Sequence, residues 1–259
     1  MFAAFDLTGK TCLVTGGSRG IGFGMARALA LAGADLMLWS NQAKSLTSAA
    51  DGLSDTGRRV ITRLVDVAHE DQVVEGMEHF HSEYGHLDGV IAAAGIAPPD
   101  SCFRQSTTAE HRHVVDVNLD GGFWTLREAC RMFERQARAG RPGGSIVGLG
   151  SLASRFGAPT IESYAASKAA VESLIRAIAV EMAKFGVRAN AVVPGWINTD
   201  MSKRYRDQEQ VNDEIIRRIP LRRWGTPDDL GGIAVYLMSN ASAYHSGDSL
   251  VVDGGYSVF

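Results

Sequence analysis

Short apolar runs rich in β-branched residues alternate with longer segments of helical period along this chain. The runs are Thr11–Thr15, Asp35–Trp39, Val60–Val65, Gly89–Ala94, Ser145–Leu149, Arg188–Val193 and Ser249–Val252. The intervening periodicity predicts helices over Ile21–Ala32, Lys44–Leu53, Glu70–Glu83 and Tyr164–Lys184. A helix between successive strands is a crossover connection, so the strands run parallel and both faces of their sheet are covered. The rhythm predicts an α/β fold, a doubly wound parallel sheet of about seven strands with helices on both faces. No break in composition interrupts it, so residues 1–259 read as one domain.

Two stretches depart from the rhythm. Glu110–Arg138 contains no strand pattern and is long enough for one extended helix. Residues 198–221 are polar and charged, and they lie between a strand and the helix after Pro227. Long excursions beyond the carboxyl end of a strand are where binding loops sit, so 198–221 is the expected substrate loop.

Composition removes several function classes. Hydrophobic residues make up 45% and charged residues 21%, enough apolar surface to bury a core and to exclude disorder as the main state. A net charge of −3 argues against a dedicated nucleic-acid binder. The chain has 29 glycines but only 7 prolines, which points to tight turns and close backbone approaches rather than linkers. Cys12, Cys102 and Cys130 are odd in number and form no C-x-x-C, so neither a disulfide framework nor a cysteine zinc site is expected. No apolar run approaches the ~20 residues of a membrane span. Met1 to Asp6 lacks the basic stretch of a signal peptide, and the expected location is the cytoplasm.

Three motifs carry chemistry. Thr15-Gly16-Gly17-Ser18-Arg19-Gly20-Ile21-Gly22 follows a strand and opens a helix. Glycine there lets the backbone turn tightly and approach a pyrophosphate seated on the helix N-terminus, the Rossmann-type arrangement. In Tyr164-Ala165-Ala166-Ser167-Lys168, residues four apart share a helix face. An ammonium ~4 Å from the phenol would stabilise the phenolate by ~4 kcal/mol at an effective dielectric of ~20. That predicts a phenol drawn from its ordinary value near ~10 toward neutrality, where it exchanges protons readily. Ser151 ends the strand Ser145–Leu149, where its hydroxyl could donate to a carbonyl or alkoxide oxygen or serve as ordinary turn chemistry.

Taken together and in this order, these motifs resemble the short-chain dehydrogenase/reductase family, in its single-domain branch. The resemblance covers nearly the whole chain. It extends to Asp66-Val67, Ala94-Gly95, Asn118, Pro194-Gly195-Trp196-Ile197-Asn198-Thr199 and Val252-Asp253-Gly254-Gly255. It implies a single dinucleotide-binding and catalytic domain. Tyr164 would be the general acid/base, and Lys168 would lower its pKa and bind the nicotinamide ribose. Ser151 would orient the substrate oxygen, and Asn118 would hold a relay water. Asp66 and Val67 would bind the adenine, while Gly16, Ser18, Arg19, Gly20, Ile21 and Gly22 would cradle the phosphates. Ala93, Ala94 and Gly95 would face the cofactor, and Pro194, Gly195, Ile197 and Thr199 would hold the carboxamide. Family members are usually homotetramers, so an oligomer is expected.

The enoyl reductases of the family space Tyr and Lys seven apart. Here the seventh residue after Tyr164 is Val171, so the chain resembles the enzymes that interconvert secondary alcohols and ketones. It is too short for the extended branch that epimerises nucleotide sugars. One departure is Ala92-Ala93-Ala94-Gly95, where the family pattern is Asn-Asn-Ala-Gly. The asparagine side chain's hydrogen bonds across the sheet are lost, which bears on stability more than on activity. The rival reading is a non-catalytic NAD(P)-binding regulatory protein on the same fold. All four catalytic positions being filled argues against it.

The end of the second strand reads the adenosine ribose. An acid there bonds the 2′-hydroxyl of NAD and repels the 2′-phosphate of NADP. This chain has Ser40 and Asn41 instead, with Arg19 and Lys44 as candidate phosphate partners. NADP is the expected cofactor. NAD stays open, because Ser40 and Asn41 can also bond a ribose diol.

Other features yield less. His79/His81 and His111/His113 face different ways on helices and no H-E-x-x-H occurs, so no metal site is expected. Arg127, Arg131, Arg135 and Arg138 form a basic stripe that reads as a solvated or subunit-facing helix. Pocket walls are expected from 97–104, 152–161 and the 198–221 loop, with Trp196, Met201 and Tyr205 as lining or core residues.

Overall fold

The computed structural model describes residues 3–99 and 102–259. Met1, Phe2, Asp100 and Ser101, the last two in an expected pocket wall, lie outside the described residues. Among these, seven strands form one all-parallel sheet: β1 Thr11–Thr15, β2 Asp35–Ser40, β3 Val60–Leu64, β4 Gly89–Ala92, β5 Gly144–Leu149, β6 Val187–Pro194 and β7 Ser249–Val252. Their order is β3-β2-β1-β4-β5-β6-β7. The order reverses between β1 and β4, and a crevice opens beyond the carboxyl ends of strands at such a switch point.

Alternation along the strands builds two cores. In β1, Leu13 faces one layer while Cys12 and Val14 face the other. The first layer packs α3 (Glu70–Tyr84), α5 (Gly121–Arg138) and α6 (Glu162–Met182) on the sheet through Phe80, Leu126 and Ile175. The second packs α1 (Gly20–Leu31), α2 (Ala43–Asp51) and α9 (Gly231–Met238) through Leu29, Leu46 and Leu237. The remaining helices are α4 (Thr108–Val115), α7 (Lys203–Arg206) and α8 (Glu209–Arg218). Three of the four arginines of the basic stripe on α5 pair with acids: Arg127 with Glu70 and Glu128, Arg131 with Glu128, and Arg138 with Glu134.

Two expectations need correction. Glu110–Arg138 is not one uniform helix. A capping box between Thr107 and Glu110 starts α4, and a π-helical turn over Asp116–Asp120 joins it to α5. The wide turn admits Asn118, whose side chain leaves the helix to bond neighbouring backbone. The fourth strand also stops at Ala92 rather than Ala94. There the Ala94 amide leaves the ladder and donates to Thr15 Oγ1 at 3.2 Å.

Candidate functional site

The crevice at the β1/β4 switch point is floored by the glycine turn. Gly16 has φ +62°, and a Cβ on it would stand 2.8 Å from the Ala94 Cα. A Cβ on Gly22 would stand 2.3 Å from the Gly16 carbonyl oxygen. Neither position admits a side chain, so the turn folds back on itself and lies flat against Ala93 and Ala94. The alanines in place of asparagine leave Thr15 Oγ1 to hold the Ala94 amide. Helix α1 begins at Gly20 with no side-chain cap and no acid in its first turn. Its leading N–H groups and positive dipole end are thus suited to an anion. Ser18, nearly buried, is fixed by the Ser45 hydroxyl at 3.0 Å. This floor fits the pyrophosphate of a dinucleotide.

At the end of β2, Ser40 Oγ accepts from the Gln42 amide at 3.3 Å, and Asn41 and Lys44 are exposed. Asp66 accepts from the Ala68 amide at 3.1 Å. Val67 is buried against the start of α5, where a Cβ on Gly121 would meet it at 2.7 Å. Arg19 turns toward the 198–221 loop. Its Nη1 reaches Asp200 in the 198–221 loop at 3.0 Å, with the two side chains 55% and 76% exposed. A pair so exposed is worth under ~1 kcal/mol, so the guanidinium is cheaply exchanged to another anion.

On the other side of the crevice stand Ser151 and Tyr164. Ser151 Oγ accepts from the Ala153 amide at 3.2 Å and stands near enough to the Tyr164 phenol to influence it. Lys168 follows one helical turn later, buried at 5% exposure, with Nζ donating to the Leu149 carbonyl at 3.0 Å. Asn118, 2% exposed, brackets Ile96: its Oδ1 accepts from the Ile96 amide at 2.8 Å and its Nδ2 donates to the Ile96 carbonyl at 2.9 Å. Nδ2 also donates to Ser167 Oγ at 3.2 Å. A Cβ on Gly95 would stand 3.3 Å from Asn118 Oδ1 and 3.4 Å from Lys168 Nζ. Asn118, Lys168 and the backbone after β4 therefore meet at one point.

The electrostatics correct the expected pull of Lys168 on Tyr164. Lys168 Nζ lies 5.6 Å from the centroid of the Tyr164 ring. Burial raises the phenol above its ordinary value, the nearby Ser151 hydroxyl draws it back, and the neighbouring Tyr205 raises it again. Burial also lowers Lys168, to about 8. Desolvation thus outweighs the attraction that a bare i, i+4 argument assumes.

Beyond β6, Gly195 packs so tightly on the C-terminal segment that a Cβ would lie 2.6 Å from the Asp253 Cα. Ser202 Oγ donates to the Ile197 carbonyl at 2.7 Å and accepts from the Thr199 amide at 3.1 Å, which pins the loop's start. Thr199 ends up beside the glycine turn, 3.5 Å from where a Gly20 Cβ would be. Trp196 packs edge-on against Tyr205 and Trp224 with centroids 5.2 and 5.5 Å away. Met201, by contrast, is exposed.

Sequence reasoning missed three residues here. Trp224 and Tyr256 complete the aromatic wall around Trp196. Glu172, buried on α6, binds Ser154 Oγ and pairs with Arg155 at 3.5 Å, clamping the segment that carries Ser151. Its one signal was an acid on the inward face of a helix otherwise lined by Val171 and Ile175.

A family profile described as enoyl-(acyl carrier protein) reductase matches residues 16–257. A 3-oxoacyl-[acyl-carrier-protein] reductase FabG from Chlamydia muridarum (strain MoPn / Nigg) is 38% identical over 250 residues, spanning 96% of this chain and 98% of the relative. A solved short-chain type dehydrogenase/reductase from Mycobacterium marinum superposes with a TM-score of 0.91 at 34% identity, covering 98% of each chain. A gluconate 5-dehydrogenase from Burkholderia cenocepacia J2315, solved in complex with NADP and tartrate, gives a TM-score of 0.92 at 31% identity, covering 99% of this chain and 98% of that one.

Proposed function

The chain belongs to the short-chain dehydrogenase/reductase family and is an NAD(P)-dependent oxidoreductase that interconverts secondary alcohols and ketones, and from that premise we propose which residues carry the reaction and what it acts on. Tyr164 is the proton donor in reduction and the acceptor in oxidation. Ser151 steadies the substrate oxygen, Lys168 holds the nicotinamide ribose, and Asn118 fixes the backbone after β4 and supports the proton relay. The observation that carries this reading is the convergence of Ser151, Tyr164 and Lys168 at the crevice wall: Lys168 Nζ stands 5.6 Å from the centroid of the Tyr164 ring, and the Ser151 hydroxyl is near enough to draw the phenol down.

Bound NADPH would supply the hydride to the carbonyl carbon in reduction, and NADP would take it up in oxidation. The glycine turn and the uncapped start of α1 would hold its pyrophosphate. Asp66 and Val67 would border its adenine, and Pro194, Ile197 and Thr199 its carboxamide. The Tyr164 phenol, kept protonated at neutral pH by burial, donates to the developing alkoxide while Ser151 donates to the same oxygen. The aromatic wall around Trp196 would shield one side of this exchange from water.

NADP is favoured over NAD because no acid ends β2 and Arg19, in the glycine turn, is held only by an exposed pair with Asp200. The similarity to a gluconate 5-dehydrogenase solved with NADP supports it, and supports a small polyhydroxylated substrate. One catalytic domain then spans the chain. A groove lined by Leu119, Phe123, Ala170, Leu174 and Ala177 lies between the long helices α5 and α6. It supports assembly with further copies, most simply a homotetramer. Among the described residues no helix is long and apolar enough to cross a membrane, and Cys12, Cys102 and Cys130 are free thiols, which supports a reducing, cytoplasmic setting. The test is a panel of ketones with NADPH and alcohols with NADP, read in the reduced-nicotinamide absorbance band. Ketone-dependent loss of that band in wild type and none in Tyr164→Phe is the expected result. Equal rates in the two proteins would sink the assignment.

A further inference from the structure

The geometry points to Arg204 as the receptor for a carboxylate on the substrate, selecting hydroxy acids and their keto forms over neutral polyols and ketones. The inference rests on the oxidoreductase reading above and names the substrate class of the same site.

Arg204 lies on α7, in the loop beyond β6. Its Nη2 donates to the Tyr205 hydroxyl at 2.7 Å, and its Nη1 approaches the Pro98 carbonyl at 3.5 Å. Pro98 belongs to the segment after β4, so the guanidinium spans from the β6 loop to the β4 segment. Tyr205 packs on Trp196 and is close enough to Tyr164 to raise its phenol. The cation is thus one hydrogen bond from a residue that the proton donor senses.

A guanidinium has five N–H donors and no acceptor. Among the described residues no carboxylate pairs with Arg204, and its buried Nε has no hydrogen-bond partner. A buried charged donor left unmade is costly, and such groups are normally satisfied. Nearby cations do find acids: Lys203 pairs with Asp207, and Arg223 with Asp229 at 2.7 Å. Arg206 also has an unpartnered buried Nε, but it donates to the Thr199 carbonyl at 3.0 Å, on the side of the glycine turn. Arg204 alone of the two reaches Tyr205. The N–H fork of a guanidinium matches a carboxylate in a bidentate grip. Partial burial beside Trp196 and Tyr205 strengthens that pairing by thinning the water around it.

The test compares kcat/KM for 5-keto-D-gluconate and L-sorbose, with NADPH, in wild type, Arg204→Gln and Arg204→Lys. Wild type is expected to favour the acid by roughly ten- to a hundredfold, the worth of charge-assisted hydrogen bonds. Arg204→Gln should bring that ratio near one. Arg204→Lys, a point charge without the fork, should keep part of it, and it serves as the second variant if the glutamine protein does not fold. A wild-type ratio near one, or a ratio unchanged in both variants, overturns the inference while leaving the oxidoreductase reading in place. Calorimetric titration of the NADP-loaded proteins with D-gluconate and D-sorbitol reads the same preference without turnover. If wild type reduces neither ketone, the substrate reading fails on its own, and the titration still decides Arg204. Tighter gluconate than sorbitol binding that is lost in Arg204→Gln supports the receptor, and no such difference overturns it.

Discussion

The Ser151 hydroxyl, at the carboxyl end of β5, lies close enough to the Tyr164 phenol in the first turn of α6 to act on its ionisation. The hydroxyl draws the phenol down by less than burial raises it. Tyr164 is consequently protonated at neutral pH, the state required to donate to a ketone oxygen.

Tyr164→Phe keeps the ring and removes only the proton donor. Turnover should fall by roughly a thousandfold or more, while cofactor affinity stays close to wild type. Steady-state rates beside a fluorescence titration with NADPH check both halves.

Ser151→Ala removes a hydrogen bond to the substrate oxygen and the one influence that draws Tyr164 downward. The rate should drop by about a hundredfold. Oxidation needs the phenolate, so its rate climbs with pH as Tyr164 ionises. Without Ser151 that ascending limb should move to higher pH. A limb that stays in place while the rate falls would show that Ser151 acts on the substrate alone.

Lys168 ties stability to pH. Burial lowers it from 10.5 to about 8, so the folded protein holds this proton less tightly than the unfolded chain. The stability it contributes is fully present above 10.5 and is lost as pH falls through 8. Lys168→Met removes the buried charge but leaves the Leu149 carbonyl without its partner. The variant should therefore gain on the order of 1–3 kcal/mol at neutral pH, and the gain should vanish by strongly alkaline pH. Activity should fall at the same time, since ribose binding is lost. Urea unfolding at a neutral and an alkaline pH separates the two effects.

The fold was legible because its signal is repeated. Buried parallel strands such as Leu13–Val14 and Val90–Ile91 must be apolar on both faces, and their helices must follow at crossover distance. The proposed catalytic pair was suggested by spacing, since Tyr164 and Lys168 share one helix face, and its roles came from the family resemblance. The direction of the Tyr164 shift was not legible. It depends on how deeply both groups are buried and where the ammonium lies relative to the ring, and neither is written in an i, i+4 pattern. Asn118 showed the same gap. Helical period carried straight through Asp116–Asp120, because a π turn adds a residue without changing the kind of side chain that lines it. Trp224, Tyr256 and Glu172 reach the site from separate elements, and only tertiary packing brings them there.

Asn118→Ala tests the π turn. The part-buried Ile96 amide and carbonyl lose their partners, at about 1–3 kcal/mol for the two together. Melting should fall accordingly. The segment from Gly95 to Ile96 should loosen, and cofactor affinity should weaken with it. Hydrogen exchange at the Ile96 amide reports the loss directly.

Cofactor choice is the remaining prediction, and it turns on the end of β2. Ser40 carries no charge there, and Arg19 is held only by an exposed pair with Asp200. The 2′-phosphate of NADP can draw Arg19 away from Asp200 at little expense, since so exposed a pair is worth under ~1 kcal/mol. A charge-assisted hydrogen bond to the phosphate is worth ~1.5–3 kcal/mol, or roughly ten- to a hundredfold in affinity. Wild type should prefer NADP by about that factor. Asp200→Ala frees Arg19 and should sharpen the preference slightly. Ser40→Asp should reverse it, because the new carboxylate bonds the ribose diol of NAD and repels the phosphate, so both effects push the same way. The measurement is kcat/KM for both cofactors with one ketone across the three proteins. A wild-type preference for NAD would remove Arg19 from recognition and pass that role to Ser40, Asn41 and Asp66, with Tyr164 and Ser151 unaffected.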